Sequence, residues 1–312
     1  MKKSTFGFFL DLLKANAGWR LGEDKYFIID KKVYNFIREK GISSVESLIH
    51  EIKSGNKTII NEVVEALAMS DTCFYRDYSF FQDFENHVLP HIKDNNRSSK
   101  KLRVWSLGCS TGQEAYSIAI GLKSNFKGLH EWDVDIIGTD ISTAAIAKAQ
   151  KGAYSNIEIQ TGLNARTIID NFHLEKGLWQ ANSDIAGMID FRRYNALEEL
   201  TFMEKFDIIF ARNVLRFFDK ANQVKLIGKI HQNQTPNGFL CLGVGEDVKG
   251  LSEYYEQVQG LKCIYQPKRA PNALRKKEEP KTAEKDKSMP TFQKPSNVPQ
   301  PSKRPIASDL LK

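Results

Sequence analysis

The stretch from Leu102 to Leu122, LRVWSLGCSTGQEAYSIAIGL, constrains this chain most. Leu102, Val104, Trp105 and Leu107 make a buried strand of aliphatic and aromatic residues. The strand breaks at Gly108 to Gly112 (GCSTG) and resumes as a helix, with Ala115, Ile118, Ala119 and Leu122 on one face. Strand, glycine turn and helix form the first half of a βαβ unit. Ligands of open α/β sheets sit at the carboxyl ends of the strands, beside such a turn. The glycines let backbone approach a ligand closely. Glu114 adds an acceptor to the same space.

A second apolar strand, Val134 to Asp140, ends in an acid. An acid there commonly holds the two hydroxyls of a ribose. It lies 28 residues beyond Gly112, farther than in the dinucleotide fingerprint, and the GxGxxG spacing is absent. Both facts argue against a nicotinamide cofactor and leave a nucleoside-type ligand open. Capping of a helix that starts at Ile141 is a second role for Asp140, compatible with the first.

The formal charge of +7 needs locating before it is interpreted. From Lys268 onward there are 12 Lys and Arg against 5 Asp and Glu, so the remaining chain is formally neutral. The body therefore lacks the basic excess of a nucleic-acid binder, and no nucleic acid is expected. Seven of the ten prolines also lie beyond Lys268. Such a segment buries too little apolar surface to offset its ordering entropy, so 269–312 is expected to be a disordered basic tail. Its charge suits an acidic partner or an acidic membrane surface. No apolar run is long enough to span a membrane, and Asp11 interrupts the N-terminal apolar stretch, which argues against a signal peptide. Cys73, Cys109, Cys241 and Cys263 show neither metal-site spacing nor a disulfide framework. A reduced, cytoplasmic protein is expected.

Residues 1–92 read as helices, with amphipathic segments at Asp30 to Arg38, Ser43 to Ile52 and Thr58 to Met69. A further helix from Phe80 is expected to stop at Pro90, with a polar connector over 94–101. Between them, 70–77 (SDTCFYRD) breaks the periodicity. Ser70, Asp71 and Thr72 are good N-cap types, so a helix cap is the simplest reading. After Asp140 a helix runs from Thr143 to Gln150. Over 153–190, Leu178 to Ala181 and Met188 to Phe191 read as short antiparallel strands. Phe206 to Asn213 is a buried strand with polar residues at its end. Gln223 to Gln232 is helical, Pro236 to Gly238 a turn, Phe239 to Gly243 a strand, and Cys263 to Tyr265 the last strand. The alternation predicts a doubly wound α/β sheet over 93–268.

Placed side by side, these segments resemble the CheR family of chemotaxis receptor protein-glutamate O-methyltransferases, over about Gly18 to Tyr265. Gly18 to Lys25 (GWRLGEDK) resembles the family's N-terminal helical segment. Thr72 to Asp77 (TCFYRD) is similar to its Thr-x-Phe-Phe-Arg-Asp motif. Gly108 to Ser117 (GCSTGQEAYS) is similar to its Gly-Cys-Ser-Thr-Gly-Glu-Glu-Pro-Tyr-Ser motif, and Ala211 to Leu215 (ARNVL) to its Cys-Arg-Asn-Val-Leu. Leu242 to Glu246 (LGVGE) is a weaker echo of Leu-Gly-His-Ser-Glu.

The resemblance implies a class I, Rossmann-like methyltransferase sheet after an all-helical N-terminal domain, with a small β-subdomain inserted at about 153–192. It implies S-adenosylmethionine as methyl donor, S-adenosylhomocysteine as product, and glutamate carboxylates on the cytoplasmic domains of chemoreceptors as acceptors. By position, Ser70, Thr72 and Arg76 would approach the cofactor from the helical domain, with Arg76 orienting the acceptor. Glu114 would take the methionine amino group and Asp140 the ribose hydroxyls. Asn195 and Ala196 would border the adenine, and Arg212 and Asn213 the methionine and acceptor side. The chain departs from the family at Ser70 (Asn), Gln113 (Glu), Ala115 (Pro) and Phe217 (Tyr), the last preceded by Arg216. Two other readings compete. Gly108 to Gly112 also fits the G-x-S-x-G elbow of a serine hydrolase, with His173 or His231 as downstream base. The departures also suit a cofactor-binding scaffold or sensor with little or no activity.

Overall fold

The computed structural model describes residues 1–199, 204–246 and 253–268; the expected tail at 269–312 lies outside them. The first four helices are α1 (Lys3–Ala17), α2 (Tyr26–Lys40), α3 (Val45–Lys53) and α4 (Lys57–Leu67). Their starts follow local chemistry: the Ser44 and Asn56 side chains accept from the backbone N–H of Ser47 and Ile59, capping α3 and α4. Phe9, Leu13, Ile29, Val33, Leu48 and Leu67 bury the shared apolar face.

The next helices correct one expectation. After α5 (Tyr78–Asp83) the chain makes a π-helical turn over Phe84–Val88, then α6 (Leu89–Asn95). Pro90 does not end the helix. It sits in the first turn of α6, where the missing N–H is not needed, and the π turn shifts the register, with Leu89 N–H donating to the Phe84 carbonyl.

From β1 (Lys101–Leu107) and α7 (Gln113–Asn125) the chain passes through β2 (Asp133–Asp140) and α8 (Thr143–Lys151). An insertion follows: β3 (Ala153–Tyr154), α9 (Asn156–Gln160), α10 (Ala165–Asn171), β4 (Phe172–Glu175), β5 (Leu178–Ala181) and α11 (Ser183–Ala186). Then come β6 (Ile189–Arg193), β7 (Phe206–Ala211), α12 (Lys220–Gln232), β8 (Gln234–Leu242), β9 (Tyr255–Gln257) and β10 (Ile264–Pro267). The large sheet has the order β6-β2-β1-β7-β8-β10-β9, and β3-β5-β4 make a small one. Strands β6 through β8 in that order are parallel; β10 is antiparallel to β8 and β9. The protein is therefore a doubly wound α/β sheet carrying a helical N-terminal region. No described helix is long and apolar enough to cross a membrane.

Two strand assignments differ from the sequence reading. Met188 to Phe191 does not form an antiparallel hairpin: Ile189–Arg193 pairs in parallel with β2, placing it in the large sheet. Its exposed polar residues reflect an edge position. Pro236 to Gly238 is not a free turn but a bulge inside β8, since Phe206 pairs with Gln234 and Ile208 with Phe239.

The order of the strands locates the site. After β1 the chain fills one side of the sheet with β2 and β6, then crosses to β7 on the other side of β1. This reversal opens a crevice at the carboxyl ends of β1, β2 and β7. The helical region is fixed over that crevice by several polar contacts. The Asn195 amide donates to the Asn16 carbonyl at 3.0 Å, and Arg20 N–H donates to the Phe217 carbonyl at 2.6 Å. Glu65 accepts from Thr143 N–H at 3.0 Å and pairs with Arg193 at 3.5 Å.

Candidate functional site

A cavity of about 290 Å³ lies at the crevice. Its sheet side begins with the glycine turn. Gly108 has φ +72°, and a Cβ there would fall 2.6 Å from a Val214 methyl. Gly112 has φ +96°, with its place for a Cβ 2.9 Å from Ala149 Cβ and 3.0 Å from the Tyr154 hydroxyl. Only glycine fits either position.

Asp140 holds this turn. One carboxylate oxygen accepts from Ser110 N–H at 3.0 Å, the other from Ser142 N–H at 2.9 Å. It does not cap a helix at Ile141: α8 starts at Thr143 and its N-cap is Ser142. Each Asp140 oxygen keeps acceptor capacity. Burial pushes the Asp140 pKa up, against the backbone N–H groups that lower it.

Glu114, in the first turn of α7, accepts from the Ser106 hydroxyl at 2.7 Å and from Arg212 at 3.2 Å. Burial raises its pKa too, while Arg212 and Ser106 pull it down. Arg212 follows the end of β7 with its side chain 1% exposed. It also donates to Asp77 at 2.7 Å and to the Arg76 carbonyl at 2.8 Å, and its guanidinium lies 4.2 Å from the Phe80 ring centroid. Arg212 thus ties the glycine-turn helix to the 70–77 segment.

That segment is not a helix cap. Helix α5 starts at Tyr78 behind Asp77, which sits at φ 60° without a side-chain cap bond. The backbone is pinned instead by tertiary bonds, Tyr75 N–H to the Ser117 hydroxyl at 2.9 Å and the two Arg212 bonds. Arg76 donates to the Asp71 carbonyl at 2.8 Å and pairs with its carboxylate at 3.5 Å.

Thr72, Arg76, Glu114, Asp140, Asn195, Ala196, Arg212 and Asn213 all line the cavity. Ser70 does not, although Met69 and Asp71 on either side do. The sequence reading missed Trp19, Lys25 and Ile28, which line the cavity from the helical region. Trp19 and Lys25 fall in the GWRLGEDK stretch, to which the sequence reading gave no site role, and all three face the site because the helical region folds back over the sheet. It also gave Glu246 no role. That carboxylate accepts from Asn213 N–H at 2.7 Å, Gly243 N–H at 2.9 Å and Arg216 N–H at 3.0 Å, joining the ends of β7 and β8. The echo Leu-Gly-x-x-Glu was its signal.

The hydrolase reading fails on geometry. The buried Ser110 hydroxyl has no hydrogen-bond partner. His173 bonds to Asn182 at 2.8 Å, and His231 lies against Tyr254 and Tyr255. Neither lines the cavity. A nucleophile elbow needs its base within hydrogen-bond reach.

Residues 70–264 match the family described as CheR methyltransferase, SAM binding domain. The chain is 32% identical over 263 residues to chemotaxis protein methyltransferase Cher2 of Pseudomonas putida, covering 82% of this chain and 95% of that protein. It is 29% identical over 261 residues to chemotaxis protein methyltransferase 1 of Pseudomonas aeruginosa, covering 82% and 94%. The solved structure of PKMT2 from Rickettsia typhi in complex with AdoHcy aligns at 15% identity with a TM-score of 0.33, over 56% of this chain and 26% of the other. The chain belongs to the CheR methyltransferase family, and the crevice described here lies in its S-adenosylmethionine-binding domain.

Proposed function

We propose that this protein transfers a methyl group from S-adenosylmethionine to glutamate side chains on the cytoplasmic domains of chemoreceptors, forming methyl esters and leaving S-adenosylhomocysteine. One observation carries the reading beyond family membership. The same cavity is lined by the acids Glu114 and Asp140, by Asp71, and by the cations Lys25, Arg76, Arg212 and Arg216, of which Arg212 is already paired with Glu114 and Asp77. Lys25 and Arg76 pair with Asp24 and Asp71. Arg216 bonds the Glu246 carboxylate through its backbone N–H only; among the described residues its guanidinium makes no ion pair, and it sits 5.3 Å from the Phe217 ring centroid. A site built this way suits a cationic donor and an anionic acceptor.

The residues fit the cofactor. The unpartnered Ser110 hydroxyl and the spare acceptor positions of Asp140 lie together at the glycine turn. In this reading Asp140 accepts from the ribose hydroxyls and Glu114 from the ammonium. Asn195 and Ala196 border the adenine, Thr72 and Arg76 reach in from the helical side, and Arg212 and Asn213 line the methionine and acceptor side. Ser70, which does not line the cavity, takes no part in this scheme. Residues 1–92 serve as the helical domain, 93–268 as the cofactor domain and 269–312 as the tail, in a cytoplasmic protein.

When bound, S-adenosylmethionine supplies a methyl group already activated on a sulfonium. A glutamate carboxylate is ionised at neutral pH, so the protein needs no general base. Its work is positioning and exclusion of water. Trp19, Ile28, Phe217 and Phe218 give the cavity an apolar wall. Arg76 orients the acceptor carboxylate through the guanidinium donors that its contacts with Asp71 leave free. Phe217 lacks the hydroxyl found at this place in the family, which favours a slower enzyme and keeps the scaffold reading as the rival.

The test is transfer of labelled methyl from S-adenosylmethionine to receptor-containing membranes. Base-labile label is expected, and Arg76→Ala should lower kcat/KM by about 100-fold. Binding of S-adenosylhomocysteine with no base-labile label would replace the enzyme by the scaffold.

Affinity for S-adenosylhomocysteine should also fall on acidification, measured by titration from about pH 7 down into the ordinary carboxylate range at about pH 4. Ligand binding uses the ionised forms of Asp140 and Glu114. Burial raises both pKa values, so protonation begins above the ordinary carboxylate range. Affinity that stays flat across this window would remove both carboxylates from the binding scheme.

A further inference from the structure

Gly162 lies in the turn between α9 and α10, away from the residues that line the cavity. Its φ is +105°, and a Cβ there would fall 1.9 Å from the Phe74 carbonyl oxygen and 2.7 Å from the carbonyl carbon. The backbone of the insertion and the backbone of the 70–77 segment are therefore in direct contact, and only glycine permits it.

Phe74 is fully buried on the same side. Its ring meets Tyr154 of β3 edge-on at 5.0 Å and Phe172 of β4 at 5.6 Å. Thr72, Cys73 and Arg76, around Phe74 in the chain, line the cavity. Tyr154 has a second attachment, donating its hydroxyl to the Thr111 carbonyl at 2.8 Å, inside the glycine turn. The small sheet thus touches both segments that shape the cofactor cavity. Tyr75 and Asp77 both have positive φ, at 46° and 60°. Non-glycine residues keep such conformations only where their surroundings over-determine them.

We propose that the inserted small sheet is a positioning element for the cofactor site, and that Gly162 and Phe74 are its positioning residues. Gly162 admits the Phe74 carbonyl, Tyr154 and Phe172 hold the ring, and together they set where Thr72 and Arg76 stand. The inference rests on the cofactor cavity alone, so it does not depend on which carboxylate is methylated.

The experiment compares Gly162→Ala with Gly177→Ala in the full chain. Gly177, in the β4–β5 turn, has φ +79° with nothing within 4 Å of its place for a Cβ. It reports the positive-φ penalty without a clash. At a temperature where circular dichroism shows each variant folded, Gly162→Ala should bind S-adenosylhomocysteine at least about tenfold more weakly than Gly177→Ala. Equal affinities would overturn the proposal. Thiol labelling mapped by mass spectrometry gives the local readout. In Gly162→Ala, Cys73 should label several-fold faster while Cys263, also half-buried, labels as in wild type. Parallel acceleration at both would mean general loosening and would also overturn it. If Gly162→Ala does not fold, Phe74→Leu serves, since it keeps a buried apolar side chain and removes the ring contacts. Wild-type affinity in Phe74→Leu would sink the idea.

Discussion

Asp140→Ala is expected to weaken S-adenosylhomocysteine binding by roughly 100- to 10,000-fold, measured calorimetrically. Hydrogen bonds to a charged group contribute about 1.5–3 kcal/mol each, and the proposed contact to a ribose makes two. The substitution also frees Ser110 N–H and Ser142 N–H, which the carboxylate now holds. Asp140→Asn narrows the comparison, because it loses the charge but keeps one of the two oxygens that hold those N–H groups. Here the sign of the pKa shift matters. A carboxyl whose folded pKa is raised favours the folded state most below its unfolded pKa, and that contribution is lost as pH rises through the folded value. Burial raises Asp140, so at neutral pH its ionisation works against the ligand-free fold. Asp140→Asn removes that cost but leaves one of the two N–H groups without its acceptor, so it should melt close to the wild-type temperature while binding poorly. Affinity within about threefold of wild type in the Ala variant would remove Asp140 from the site.

Arg212→Met should cost about 3–5 kcal/mol of folding stability in urea titrations, because it strands buried charge. The guanidinium is the shared partner of Glu114 and Asp77 and also bonds the Arg76 carbonyl. Arg212→Lys should recover little of this. An ammonium is a point donor, whereas three acceptors on two segments are met here by a planar fork lying on Phe80. With Arg212 gone, the Glu114 carboxyl loses the cation that counters its burial, so its pKa rises further. An unchanged urea midpoint in Arg212→Met would show that the charge cluster does not hold the 70–77 segment.

The fold was legible where local pattern and burial agree. Leu102 to Leu107, Val134 to Asp140 and Phe206 to Ala211 are central strands of a parallel sheet, buried on both faces, and read as near-continuous apolar runs. The insertion was not legible. Its elements run from two to seven residues, too short for periodicity to distinguish helix from strand. Strand 189–193 looked like a hairpin partner because as an edge strand it is half polar. At the site, Glu114, Asp140 and Arg212 were visible from their places at strand ends and in the first turn of a helix. What they bond to was not: Arg212 reaches Glu114 across 98 residues and Asp77 across 135. Ser70 to Thr72 misled because the same residue types serve a helix cap and a loop, and tertiary contacts decided between them.

The seam between the helical region and the sheet also governs the order in which the molecule can be made. Asn195 reaches back 179 residues to Asn16, and Trp19 bridges to Phe218. A growing chain emits the four N-terminal helices first, long before the strands they rest on exist. During translation those helices can form and pack on one another, but their docking surface arrives in stages, first with Thr143, then with Arg193 and Asn195, and last with Phe217 and Phe218 after β7. A nascent chain stalled short of Asn195 would hold a helical bundle and a partial sheet without a closed crevice. Cofactor capture is thus a late event in biogenesis, and release of nearly the whole folded portion from the ribosome precedes it.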